Sequence, residues 1–169
     1  MRVLILYETR RGFTLTVARA IRDELRLREI EAFAAPIRGV DAGTVNAASA
    51  LIVGSWTQGM ILFNVGPATE ALRGIESLPL LEGRPAAVFC TCDVAPRRTL
   101  DVLTRHLARR GATVVGGLAF KRKKSLRLVP AYVDAVVPAL EQAPRPPATT
   151  EPAAVWLPPE GPPANVPRP

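Results

Sequence analysis

The chain has 169 residues, of which 48% are hydrophobic, 22% charged and 5% aromatic, and it carries a formal net charge of +7. That length accommodates one compact domain, and the composition excludes both a disordered polymer and a secreted scaffold built on disulfides, since Cys90 and Cys92 are the only cysteines. A positive balance favours acidic ligands (phosphorylated cofactors, nucleic acid, anionic lipid or acidic proteins) without choosing among them.

Ten of the 17 prolines fall between Gln142 and Pro169. The composition therefore divides the chain into a domain over 1–143 and a proline-rich tail over 144–169, expected to be an extended, disordered segment. Within the tail Arg145 and Arg168 offset Glu151 and Glu160, so the positive charge belongs to the domain. Nineteen of the 22 basic residues are Arg, as GC-rich bacterial codon usage would give. No apolar run approaches the roughly 18–20 residues of a membrane span, and a cytoplasmic protein is expected.

In chain order, Val3 to Tyr7 is a continuous apolar run, the pattern of a strand buried on both faces of a parallel sheet. After a turn over 8–12, Phe13, Val17, Ile21 and Leu25 recur every four residues and make the apolar stripe of a helix. Ile30 to Ile37 reads as a weaker edge strand, and Val40 to Ala48 as a short helix or irregular crossover. Ala50 to Gly54 is the next buried strand, followed by a long loop through Gly66 and a helix with Pro67 in its first turn, running to about Ile75. Ala86 to Cys90 is a fourth strand. Thr99 is expected to cap a helix lined by Leu100, Leu103 and Leu107 and ended by Gly111. Ala112 to Phe120 is the fifth strand, and Pro130 opens a last helix that Pro138 should bend or shorten. Strands and helices alternating in this way give an α/β fold: a parallel sheet with helices on both faces and ligands beyond the carboxyl ends of its strands.

The loop from Glu8 to Thr14 carries hydroxyls and Gly12 and runs straight into a helix, a geometry that offers unpaired amides and a positive dipole end to phosphate. By itself such a loop also suits a plain strand-to-helix turn. Together with the apolar strand before it, the region resembles the flavodoxin family, whose loop Ser/Thr-x-Thr-Gly-x-Thr holds the phosphate of FMN. Thr9, Gly12 and Thr14 occupy matching positions, Arg11 stands in place of the middle threonine, and Phe13 replaces a residue that is commonly Asn. The resemblance continues at Ser55, Trp56, Thr57 and Gly59, where that family contacts the ribityl chain and ring, with Trp56 as the stacking candidate. It ends at Thr91, Cys92 and Asp93, which would line the other side of the ring.

Over 1–143 the resemblance implies a doubly wound five-stranded parallel sheet of order 2-1-3-4-5, FMN as cofactor, and electron transfer as a one-electron carrier or a small NAD(P)H-dependent reductase. Arg10 and Arg11 would either pair with the phosphate or obstruct it. A flavin-free binding module for an acidic partner is the alternative. Lys121, Arg122, Lys123 and Lys124 follow the fifth strand on the same rim, where a redox partner or pyridine nucleotide is expected to dock. The only histidine, His106, falls on a helix, so no general acid or base stands out. Cys90 and Cys92 are expected to be buried thiols rather than a metal or redox pair.

Overall fold

The computed structural model describes residues 1–60, 63–96, 98–122 and 126–144. Lys123, Lys124 and the tail from residue 145 onward lie outside the described residues. The elements in order are β1 (Arg2–Glu8), α1 (Phe13–Leu27), β2 (Glu31–Pro36), α2 (Ala42–Ala47), β3 (Ala50–Met60), β4 (Phe63–Pro67), α3 (Thr69–Ser77), β5 (Pro85–Cys92), α4 (Thr99–Arg109), β6 (Thr113–Lys121) and α5 (Val129–Gln142), with a single 3-10 turn at Leu126–Leu128 before α5.

Five strands are parallel, in the spatial order β2-β1-β3-β5-β6. Counting parallel strands alone, that is the 2-1-3-4-5 order expected from the sequence. The sixth strand, β4, is antiparallel and pairs only with β3. It lies where the sequence predicts a long loop. β3 runs on past the sheet to Met60 because β4 supplies hydrogen-bonding partners for its outer half.

The alternation of side chains along β1 sorts the core into two layers. Val3, Ile5 and Tyr7 pack against Val17, Ile21 and Leu25 of α1 and Tyr132, Val133, Val136 and Leu140 of α5. Leu4 and Leu6 face the other way, towards Val45 of α2, Ile75 of α3 and Leu103 and Leu107 of α4. β1 and β5 are buried against both layers, which is why they read as apolar runs. In the first layer Phe120 meets Phe89 and Tyr132 edge-to-face, at centroid distances of 5.9 and 5.6 Å. The buried Tyr132 hydroxyl donates to the Val88 carbonyl at 3.1 Å, so the polar tip is satisfied. Gly54 lies flat against the Phe89 ring: a Cβ there would sit 2.0 Å from the ring carbon Cζ.

Two local expectations are corrected and a third is narrowed. Pro67 ends β4 and Ala68 is the N-cap of α3, so the proline lies outside the helix. Its missing N–H suits the end of a strand paired on one side only. Thr99 is the first residue of α4 and does not cap it; its hydroxyl shares a 3.1 Å hydrogen bond with that of Thr57, a tertiary tie that draws it inward. α5 continues through Pro138 to Gln142 without being shortened. Pro130 does take the first-turn position expected of it.

β5 and β6 shift register once, with Ala86 opposite Val114 and Ala87 opposite Gly116, leaving Val115 as a bulge. Strand order reverses between β1 and β3; the loop leaving β1 begins at Thr9, and β3 parts from the parallel sheet after Trp56, whose partner in β5 is Thr91.

Candidate functional site at the sheet's carboxyl edge

α1 begins on Gly12, whose φ of +80° places it in the left-handed region that side-chain-bearing residues avoid. This one glycine turns the chain from β1 into α1. Thr16 is the first residue to bond back into the turn: its amide and its Oγ1 donate to the Gly12 carbonyl at 2.9 and 3.1 Å. No side chain caps the helix, and its first turn holds no acidic residue. The amides ahead of Thr16 and the positive end of the helix dipole therefore face the loop without a counter-charge of their own.

That loop forms one wall of a cleft of about 610 Å³, with Thr9, Arg10, Arg11, Phe13 and Thr14 on one side. The size falls within the usual span for small-molecule sites. The facing walls come from Trp56, Thr57 and Gln58 of β3 and from Thr91, Cys92 and Asp93 at the end of β5. Thr9 Oγ1 is buried and, among the described residues, has no hydrogen-bond partner. An unpaired buried hydroxyl is uncommon in native structures and calls for a ligand or water. Thr14 is committed differently: its hydroxyl shares a 2.9 Å hydrogen bond with that of Thr91, both residues being buried, which pins the start of α1 to β5.

The charges here are unequal. Arg10, Arg11 and Arg122 border the cleft against the single carboxylate of Asp93. Arg122 Nε lies 2.8 Å from Asp93 Oδ1, and the guanidinium sits 5.1 Å from the centroid of Phe13. Arg10 covers Trp56 in the same fashion at 5.6 Å. Glu8, at the end of β1, is turned away and paired with Arg38 at 3.1 Å.

The structure thus brings ten of the thirteen residues singled out in the sequence together around one cleft. Gly12 shapes the turn without lining the cleft. Ser55 is fully buried, donating to the Trp56 carbonyl at 2.9 Å and accepting from the Ala68 amide at 3.0 Å, so it braces the base of the β3–β4 pair. Gly59 belongs to outer β3, and its surroundings lie outside the described residues. Gln58 lines the cleft although no ligand role is expected of it from the sequence, and Arg122, expected on the rim as part of a docking segment for a partner or pyridine nucleotide, borders the cleft itself. The pairing of Cys92 with Lys121 is the signal for Arg122, and it becomes legible only once the register is known.

Solved structures similar to this chain in fold include flavodoxins. Flavodoxin 2 from Bacillus cereus, in its oxidised form, is 24% identical with a TM-score of 0.65, over 82% of this chain and 99% of that one. A cysteine-to-serine mutant of the Pseudomonas aeruginosa flavodoxin is 20% identical with a TM-score of 0.68, over 83% and 99%. Two-electron reduced Megasphaera elsdenii flavodoxin is 17% identical with a TM-score of 0.65, over 79% and 99%. The chain has the flavodoxin fold. No family model and no curated protein matches its sequence.

On this flavodoxin fold the carboxylate that borders the cleft, Asp93, is paired with Arg122. His106 lies elsewhere, its Nδ1 3.5 Å from Glu76 Oε1, and among the described residues no cluster of metal-ligating side chains occurs. Among those residues, too, no helix is long and apolar enough to cross a membrane.

Both thiols are free and buried. Burial, then the neighbouring Cys92, pushes Cys90 up to about 12 against a hydrogen bond with Thr57 that acts the other way. Burial likewise raises Cys92, offset in part by Lys121. A thiol held neutral in the fold but free to ionise when unfolded adds stability in full below its unfolded pKa of 9.0 and loses it as pH climbs towards 12. Cys90 should by itself contribute a fall in unfolding free energy of about 1.4 kcal/mol per pH unit above pH 9. Cys90→Ala should flatten that slope in urea titrations; an unchanged slope would assign the loss to other groups.

Proposed function

We propose that the chain binds FMN in this cleft and serves in electron transfer, as a one-electron carrier or a small NAD(P)H-dependent reductase. The observation that carries the reading is the meeting, on a flavodoxin fold, of an uncapped helix N-terminus, the unpartnered Thr9 hydroxyl and two arginines with Trp56 across the cleft. Thr9, Arg10, Arg11 and the amides around Gly12 and Phe13 would hold the phosphate; Trp56, Thr57, Thr91, Cys92 and Asp93 would border the ribityl chain and ring. FMN, when bound, supplies the electron chemistry. The protein's part is to hold the phosphate with fixed donors, to present Trp56 as a flat apolar wall, and to keep water from one side of the ring.

The test is titration of the apo chain into FMN, read by quenching of flavin fluorescence and by thermal unfolding. Binding should be micromolar or tighter, and FMN at 100 times its dissociation constant should stabilise the fold by about 2.7 kcal/mol. A chain that ignores FMN sustains the flavin-free reading instead, which the covering of Trp56 by Arg10 favours.

The rim around the cleft is basic and partly apolar. Lys121, Arg122 and Arg127 are exposed, and so are Val94, which follows β5, and Leu126 and Leu128, which follow β6. This suits an acidic redox protein that meets the rim by charge and seats on the three apolar side chains. Transfer to a small acidic iron–sulfur protein should slow steeply with added salt, and Lys121→Glu with Arg127→Glu should slow it without altering FMN affinity. Equal rates with a basic acceptor would dismiss the acidic partner. NADPH oxidation by the holoprotein separates reductase from carrier.

A further inference from the structure

Arg10 stands at two places in the cleft at once. Its backbone belongs to the anion-facing turn, one residue after Thr9 and two before Gly12, while its guanidinium lies over Trp56 with Cζ 5.6 Å from the ring centroid. Both side chains border the same cleft. A guanidinium is attracted to the negative face of an indole, and a planar ligand ring stacks on that same face. The two cannot occupy it together.

We propose that Arg10 is a specificity gate that makes the cleft select phosphorylated planar rings over unphosphorylated ones. The inference rests on the flavin reading above and deepens it. A ring without an anionic group must displace Arg10 from Trp56 and offers the released cation nothing in return, so its apparent affinity is reduced by the share of molecules in which Trp56 is covered. A ring that carries a phosphate re-pairs the same guanidinium through charge-assisted hydrogen bonds at the turn. The side chain that opposes one ligand therefore favours the other. Arg11 borders the cleft and, among the described residues, lies over no aromatic ring, so its effect on a ring without phosphate should be small.

The experiment titrates riboflavin and FMN separately into the full chain, Arg10→Ala and Arg10→Lys, read by flavin fluorescence. In Arg10→Ala riboflavin should bind about three-fold tighter, as release of an exposed cation–π contact allows, and FMN about ten-fold or more weaker as the charge-assisted bonds are lost. Arg10→Lys, which keeps the charge, should hold FMN affinity within about three-fold of the parent. The opposite signs are the signature, since a general loosening of the loop would weaken both ligands. Affinities that move together, or that do not move, overturn the gate while leaving the flavin reading in place. Failure of the parent chain to bind either ligand overturns the flavin reading, and the gate with it.

Discussion

Arg11→Glu is expected to weaken FMN binding by about 100-fold, the largest effect of any single change in the cleft, as a charge-assisted bond becomes a repulsion. Arg11 borders the cleft beside an α1 N-terminus that has no capping side chain and no acidic residue in its first turn, so a carboxylate there would bring negative charge to the place the phosphate would take. The parent's FMN affinity should also decline with salt more steeply than the variant's, because Arg11 is exposed and its contribution is screened. Isothermal titration at two ionic strengths measures both. If the variant binds FMN within about three-fold of the parent, Arg11 is not a phosphate ligand.

Gly54→Ala should destabilise the fold by about 3 kcal/mol, at the upper end of what overpacking costs, and lower the melting temperature by about 10 °C. The added Cβ would stand 2.0, 2.2 and 2.5 Å from three carbons of the Phe89 ring. That ring cannot swing clear: Phe89 is fully buried and packs edge-to-face on Phe120, which is itself packed on Tyr132. Phe89→Leu in the same chain should recover part of the loss, giving a coupling that the two single changes do not predict by addition. A melting temperature within about 2 °C of the parent would show that β3 and β5 can part by more than this packing suggests.

The parallel sheet was legible because its inner strands β1 and β5 are buried on both faces. Val3 to Tyr7 and Ala86 to Cys90 have no other use for unbroken apolar runs, and α1 and α4 announce themselves by their stripes. β4 was not legible. Its residues Phe63–Pro67 include Gly66 and Pro67, which local rules assign to a loop, and only the extension of β3 beyond the sheet gives them a partner. Thr99 has the chemistry of a cap, yet Thr57 claims its hydroxyl from a distant strand.

In the cleft the same division holds. The three loops could be read from strand ends, so the residues gathered there were mostly foreseen. The contacts of Arg10 with Trp56 and of Arg122 with Phe13 and Asp93 join segments far apart in sequence. Neither is encoded in any local pattern, and the second depends on a register that the Val115 bulge sets.

That bulge also bears on what happens when many copies share a solution. An open sheet has two unpaired borders, each a template on which a foreign strand could grow. On the β2 border the Ile37 amide donates inward to the Tyr7 carbonyl, so the nitrogen of Pro36 faces outward and has no hydrogen to offer. On the β6 border Val115 breaks the regular spacing of donors, just before the glycine pair at 116 and 117. Two different irregularities thus guard the β2 and β6 borders of the parallel sheet against polymerisation, and neither Pro36 nor Val115 lines the cleft.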